Sequence, residues 1–195
     1  MRHDLTSGSV TGAIARFSLP YLLSYLLQTL YGMADLFIIG QFDPVASTTA
    51  VSIGSQVMHM LTVMIVGLAM GATVMIGQTV GAKKDPSAYI GSTVTLFFSL
   101  SLLMTALLTA LVHPIVSVMS TPTEAVSGTV AYLTVCFLGI PFVTAYNVIS
   151  SIFRGMGDSR TPMYFIAVAC VCNIALDYLF IGVLSLGPAG AALGT

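Results

Sequence analysis

The sequence predicts an all-α membrane protein, a polytopic bundle of transmembrane helices. Apolar residues make up 56% of the 195-residue chain and charged residues only 7%, against roughly 25% charged in soluble domains. Five apolar stretches, at about 17–41, 46–80, 88–112, 125–153 and 163–186, reach the roughly 20 residues that a helix needs to cross a bilayer. A sixth stretch starts near Gly187, but Thr195 ends the sequence after about a third of that length. We therefore expect five full spans and the truncated start of a sixth.

The basic residues predict the orientation in the membrane. Their positions fall before the first span, between spans two and three, and between spans four and five: Arg2, Arg16, Lys83, Lys84, Arg154 and Arg160. Positively charged loops stay on the cytoplasmic side, so we expect a multi-pass protein of the plasma membrane with a cytoplasmic N-terminus. The sequence has no basic cluster that would indicate nucleic-acid binding.

Local motifs predict two helix starts. The Thr-Pro-Thr-Glu segment at 121–124 fits a capping box with proline at the first helical position of span four, and the Thr-Pro pair at 161–162 predicts the start of span five. Arg154 lies between these two spans and is interpreted as an interfacial anchor or as a partner for Asp158.

Two aspartates inside apolar spans are the first functional candidates. Asp35 is the only charge within residues 17–42, and Asp177 is the only charge within residues 163–186. A charge inside the bilayer costs roughly 2.5–3.5 kcal/mol on insertion scales, so such residues are usually functional. At ~1.5 Å per residue, both lie at similar depths in the outer half. We expect one oxygen-rich pocket that takes up a proton or a hard cation, unless the acids belong to different cavities or are neutralised by bases elsewhere.

Polar residues in three spans recur at intervals of three and four, so each set shares one helical face. The sets are Tyr21, Ser24, Tyr25, Gln28, Tyr31, Gly32 and Asp35 in span one, Ser52, Ser55, Gln56 and His59 in span two, and Asn147, Ser150, Ser151 and Arg154 in span four. Interhelical hydrogen bonding would use the same residue types, and His59 could be a hydrogen-bonded packing residue. The unpaired acid at the end of the first set favours a polar cavity.

Four segments resemble the multidrug and toxic compound extrusion (MATE) family of transporters. They are residues 28–40, residues 67–83, the stretch 147–162 followed by Asn173 and Asp177, and the tail 187–195, which resembles the start of that family's sixth helix. The resemblance implies a twelve-helix exporter made of two six-helix lobes. Residues 1–195 would then be the N-terminal transmembrane lobe, truncated in helix six, and the C-terminal lobe would be absent.

The resemblance, which is to the DinF-like branch, also implies functional residues. The cation or proton site would comprise Asp35, Asn173, Asp177 and Thr195, and the substrate cavity would comprise Tyr31, Gln28, Gln56, His59 and Asn147. Gln56 departs from the family pattern, in which proline is frequent at this position. No catalytic residue, cofactor or fixed metal is expected, apart from a possible Na⁺ at the two aspartates.

The implied function is antiport, in which H⁺ or Na⁺ entry drives the export of amphipathic, often cationic drugs by alternating access of the two lobes. One alternative is a flippase for lipid-linked sugars, which would need basic residues facing the cavity; none is expected in these spans. Another is a half-transporter that cannot work without its partner lobe. An enzyme is not expected, because the sequence lacks H-E-x-x-H, G-x-S-x-G and P-loop motifs.

Overall fold

The computed structural model describes residues 10–195, and this part of the chain is almost entirely helical. The helices are α1 (Val10–Phe42), α2 (Val45–Gly81), α3 (Ser87–Ala110), α4 (Val112–Val118), α5 (Val126–Gly155), α6 (Arg160–Asp177) and α7 (Gly187–Gly194), and a π-helical segment (Tyr178–Val183) follows α6 directly. Five helices are long and apolar enough to cross a membrane, with α6 and the π-helical segment counted as one. The predicted polytopic helical bundle is confirmed.

Helix α5 lies at the centre of the bundle. It packs most extensively against α2 and α3, while α1 packs mainly against α6. Large side chains of α5, including Tyr132, Phe137 and Ile140, are buried in the main apolar cluster. At the other end of α5, a Cβ on Gly155 would lie 2.9 Å from the Cβ of Ile76, so glycine permits close contact with α2. The central position of α5 places its polar residues against several neighbouring helices.

The outer surface of the bundle is apolar. Large hydrophobic side chains are exposed on every spanning helix, for example Leu26 on α1, Leu68 on α2, Leu103 on α3, Phe142 on α5 and Val168 on α6. In a bilayer these side chains face lipid, which is as apolar as they are. The exposed apolar faces therefore fit a membrane setting.

Two helix starts differ from the sequence prediction. Helix α5 begins at Val126 without a side-chain cap, because the Thr121 hydroxyl donates instead to the Val116 carbonyl at 3.0 Å and completes the turn after α4. The predicted capping box is therefore wrong. At α6, Asp158 Oδ1 accepts hydrogen bonds from the backbone N–H groups of Arg160 at 3.0 Å and Thr161 at 3.1 Å. An aspartate, not the Thr-Pro pair, satisfies the first amides of this helix.

Helix α7 folds back beside the end of α6. The π-helical segment continues α6, and the chain then reverses through Gly187, which has φ +56°. A Cβ at Gly187 would lie 2.8 Å from Asp43 Oδ2, so both the backbone conformation and the available space favour glycine there. The Leu186 N–H donates to the Phe180 carbonyl at 2.9 Å. This reversal brings the end of α7 next to Asp177.

Candidate ion site and polar cavity

The structure brings the two membrane-embedded aspartates together. Asp35 lies near the end of α1 and is 3% exposed, and Asp177 is the last residue of α6 and is fully buried. The Asp35 carboxyl group interacts with the side chains of Asp177, Asn173 and Thr195. All four residues of the expected cation or proton site therefore lie in one cluster, at the end of the bundle opposite most of the basic residues. Their role as an ion site remains a prediction.

Helix α7 closes this cluster with two hydrogen bonds. The Thr195 hydroxyl lies 3.1 Å from Asp35 Oδ2 and 2.9 Å from the Ala191 carbonyl, and it can donate to either. The Asn173 amide nitrogen donates to the Gly194 carbonyl at 3.0 Å. Gly194 itself lies against Asp177, since an added Cβ would overlap Asp177 Oδ1. The last two residues of the chain thus shape the surroundings of both acids.

Several oxygen atoms of the cluster have no hydrogen-bond donor. Asp35 Oδ1, Asn173 Oδ1 and both carboxyl oxygens of Asp177 are buried and unpartnered. Within residues 10–195, no lysine, arginine or histidine acts on either carboxyl group. Buried carboxylates without partners are costly, and a set of carboxylate and amide oxygens suits a proton or a hard cation. The geometry therefore provides acceptors for positive charge and no built-in counter-charge.

A polar cavity lies toward the other end of the bundle, between α1, α2, α5 and α6. Its lining comprises Tyr21, Ser24, Tyr25, Gln28, His59, Thr62, Val63, Val66, Tyr146, Asn147, Arg154, Pro162 and Ile166. Gln28, His59 and Asn147 are among the predicted cavity residues. The cavity measures about 50 Å³, far below the roughly 300–1,000 Å³ of a drug-sized ligand site. In this conformation it has room for a small polar group but not for a whole amphipathic molecule.

Two predicted cavity residues lie outside this lining. Tyr31 is three residues beyond Gln28 on α1 and is close enough to Asp35 to interact with its carboxyl group. Gln56 is exposed on α2, three residues before His59. The two helices run in opposite directions. Tyr31 therefore lies about 4.5 Å closer to the aspartates than Gln28 does, and Gln56 lies about 4.5 Å closer than His59 does. The structure does not join them to the cavity.

Arg154 lines the cavity, contrary to the sequence interpretation. Its guanidinium lies over the ring of Tyr21, 5.3 Å from the ring centroid, and its Nε atom is buried without a hydrogen-bond partner. The expected pairing with Asp158 is not observed: Asp158 Oδ1 accepts hydrogen bonds from the first amides of α6, and its Oδ2 accepts from the Thr161 hydroxyl at 2.6 Å. The expectation that no basic residue faces the cavity is therefore wrong. The seven-residue spacing between Asn147 and Arg154 places both on one helical face, and this spacing could have predicted that Arg154 lines the cavity.

The basic residues of the described chain gather at one end of the bundle. Arg154 reaches Tyr21 near the start of α1, and Lys83 and Lys84 share a surface groove with Met156. Arg2 lies outside the described residues. This end is the one that the charge distribution predicts to be cytoplasmic.

A bundle of five helices that could span a membrane, with a buried acid pair and a separate polar cavity, fits the class of membrane transporters. The family model MatE matches residues 20–179, and the chain belongs to this family, the MATE transporters. The predicted resemblance is thereby confirmed. Members of the family are transporters and not enzymes, as expected from the sequence.

Similar proteins agree with this assignment. The chain is 33% identical to the probable multidrug resistance protein YpnP of Bacillus subtilis (strain 168) over 99% of its own length and 44% of that protein. It is 31% identical to the probable multidrug resistance protein NorM of Thermotoga maritima, over 93% of its own length and 40% of that protein. The chain thus spans less than half the length of these curated relatives.

Solved structures show the same fold. The chain matches a transporter of the MOP superfamily from Pyrococcus furiosus with a TM-score of 0.87 and 28% identity, over 96% of this chain and 42% of that one. It matches the outward-facing conformation of a multidrug resistance MATE family transporter with a TM-score of 0.88 and 28% identity, over the same shares of the two chains.

Proposed function

We propose that this chain is the ion-binding lobe of an antiporter that exports amphipathic, often cationic compounds in exchange for H⁺ or Na⁺. The observation that carries the proposal is the buried pair Asp35 and Asp177, which has unpartnered oxygens and no cationic neighbour within residues 10–195. Such a pair can accept either an inorganic cation or a proton. The multidrug exporters to which the chain is similar support a small organic compound as the exported substrate.

The proposed architecture has two lobes. Residues 1–195 would form the N-terminal transmembrane lobe, which ends within helix six, and a second, C-terminal lobe would complete the transporter. The similar structures support this arrangement, because this chain corresponds to 42% of their length. The substrate would pass between the lobes as they alternate between inward-facing and outward-facing states.

Ion binding supplies the proposed driving force. A cation that joins Asp35 and Asp177 would offset the cost of their unpartnered oxygens, so the ion-bound and ion-free lobes would prefer different packing. An ion moves a conformational equilibrium only if its affinity differs between the two states. In the proposed cycle, the outward-facing lobe takes up the ion as the substrate leaves, and release of the ion on the inside resets the transporter.

The proposed orientation follows from the basic residues. Lys83, Lys84 and Arg154 lie at one end of the described bundle, and positively charged loops favour the cytoplasmic side. We therefore place the N-terminus in the cytoplasm and the two aspartates in the outer half of the plasma membrane.

The test compares Asp35→Asn and Asp177→Asn in the full-length protein with Glu124→Gln, which neutralises an exposed loop acid. Each variant is reconstituted in vesicles, and drug flux is measured under an imposed pH gradient or an imposed Na⁺ gradient. We expect both aspartate variants to insert normally and lose coupled flux, while Glu124→Gln keeps it. Wild-type coupled flux in both aspartate variants would refute the assignment. The gradient that drives the wild-type protein identifies the coupling ion.

A further inference from the structure

We propose that the polar cavity contains an anion-accepting subsite, in which Arg154 binds the carboxylate or phosphate group of an amphipathic ligand. This subsite rests on the proposed transport function and extends its substrate class, because it adds ligands with an anionic group to the cationic compounds that the resemblance implies. Nothing in the acid pair predicts such a ligand, because carboxylates repel anions.

The guanidinium of Arg154 is held in place while its hydrogen-bonding edge stays free. The central carbon of the guanidinium lies over the Tyr21 ring, 5.3 Å from its centroid. The Nε atom is buried and has no acceptor. Among the described residues, no carboxylate forms a salt bridge with this side chain, and the carboxylate of Asp158 binds the start of α6 instead. An arginine fixed on an aromatic ring presents its remaining donors as a planar fork that matches a carboxylate or a phosphate.

The other lining residues favour an anion as well. Among the side chains of the lining there is no aspartate or glutamate, and the polar groups include the hydroxyl groups of Tyr21 and Tyr146 and the amide groups of Gln28 and Asn147. All of these can donate hydrogen bonds. The cavity is partly shielded from water. The Arg154 guanidinium, surrounded there by neutral hydrogen-bond donors, therefore attracts a single anionic group more strongly than it would in bulk water.

The acid pair lies too far away to cancel this attraction. Asp35 is 14 residues beyond Tyr21 on the same helix, which corresponds to about 21 Å along its axis. The lobe thus has an acidic site and a basic site at different depths. A ligand with an anionic group at Arg154 would extend its remaining part toward the aspartates.

The dimensions fit a headgroup and not a whole ligand. A volume of about 50 Å³ holds only a few atoms the size of a water molecule. The lining also contains the apolar side chains Val63, Val66 and Ile166, which would contact the first carbon atoms attached to the anionic group. The remaining part of the ligand would lie outside this volume, between the lobes or in the lipid.

The experiment uses a dansyl-labelled amphipathic amino acid in two forms. One form has a free carboxylate, and the other is its methyl ester. The full-length protein is placed in nanodiscs of phosphatidylcholine, and both probes are titrated by fluorescence without any ion gradient. We expect the wild-type protein to bind the carboxylate about tenfold more tightly than the ester, as one charge-assisted hydrogen-bond pair predicts. Arg154→Gln should remove this preference and leave the affinity for the ester unchanged, which also shows that the variant is folded.

Two further variants complete the comparison. Arg154→Lys keeps the charge but loses the fork, so it should retain part of the preference. Arg160→Gln removes an exposed arginine at the same end of the bundle and should behave like the wild type. The proposal would be overturned if Arg154→Gln kept the wild-type preference for the carboxylate over the ester. It would also be overturned if Arg160→Gln lost this preference to the same extent as Arg154→Gln.

A second arm distinguishes the two sources of the anionic group. The titration is repeated in nanodiscs that contain phosphatidylglycerol. If a lipid phosphate occupies the subsite, phosphatidylglycerol lowers the affinity of the wild type for the carboxylate probe more than it lowers that of Arg154→Gln. If the subsite serves soluble carboxylates, the two proteins change equally, because the negative membrane surface repels the probe from both. Because the titration needs no gradient, a failed coupling test for the aspartates leaves this result standing, and a failed titration leaves the coupling proposal standing.

Discussion

Gly194 is the position at which the candidate ion site is most sensitive to a single added carbon atom. In Gly194→Ala, the new Cβ would overlap Asp177 Oδ1 and would lie 3.3 Å from Asp177 Cγ. Asp177 has no exposed surface, so any turn of its carboxyl group must be accommodated inside the cluster. Either the carboxyl group is displaced or the end of α7 moves away from α6.

The structure gives the expected size of the effect. Overfilling a well-packed site costs about 1–3 kcal/mol. Movement of α7 would also lengthen the hydrogen bond from Asn173 to the Gly194 carbonyl, now 3.0 Å, and the one from Thr195 to Asp35, now 3.1 Å. Loss of one such bond costs about 1 kcal/mol. We therefore expect Gly194→Ala to destabilise the protein by about 2–3 kcal/mol and to weaken ion-coupled flux.

Thermal unfolding in detergent can be followed through thiol labelling, since Cys136 and Cys170 are buried. The exposed Cys172 is replaced by serine in all samples. The matched control is Gly32→Ala, one turn from Asp35 on α1, where an added Cβ meets no atom within 4 Å. We expect the control to match the wild type or to exceed it slightly, because alanine favours helix. If Gly194→Ala unfolds at the wild-type temperature and couples normally, the close approach of α7 to Asp177 is not required.

Two other predictions concern hydrogen bonds outside the candidate ion site. Tyr132→Phe removes the 3.0 Å bond between Tyr132 and Ser55, which joins α5 to α2; the same thermal assay should show a loss of about 1 kcal/mol, and an unchanged midpoint would contradict the bond. Asp158→Ala removes the acceptor at the start of α6 and should cost about 1 kcal/mol at neutral pH. Partial burial raises the pKa of Asp158, but hydrogen bonds from Thr161 and Arg160 outweigh it and hold the pKa below its ordinary value of 3.8. The stabilisation is therefore present above pH 3.8 and disappears as the pH falls through the lower folded-state pKa; equal acid sensitivity of variant and wild type would contradict this role.

The spans and the acid pair could be predicted because they depend on properties that are local in sequence. Length and hydropathy determine whether a helix can cross a bilayer, and the five expected spans agree with the five apolar helices. Asp35 and Asp177 were identifiable because a charge is rare inside an apolar run. Counting residues from the span ends was enough to place both acids at one depth.

The direction in which a side chain points was harder to predict. Hydropathy does not determine how one helix is rotated against another. The sequence therefore placed Arg154 on the polar face of span four but favoured an anchor or a partner for Asp158, whereas its guanidinium lies over Tyr21 and lines the cavity. The same limit applies to Gln56, which belongs to the polar face of α2 by spacing but lies one turn beyond the cavity. Short α4 and the π-helical segment Tyr178–Val183 were missed because neither changes the apolar character of the chain.

The position of α7 explains how ion binding and helix packing can affect each other. Thr195 contacts Asp35 across 160 positions of sequence, and this contact exists only because Gly187 reverses the chain after the π-helical segment. The cluster therefore contains groups from α1, α6 and α7, and each helix is held there by a side chain that an ion would also contact. A cation between Asp35 and Asp177 would draw α1 toward α6, whereas two ionised carboxylates without a cation would repel each other. In the proposed mechanism, occupancy of the site would therefore change the preferred distance between helices, and the ion would bind the two conformations with the different affinities that coupled transport requires.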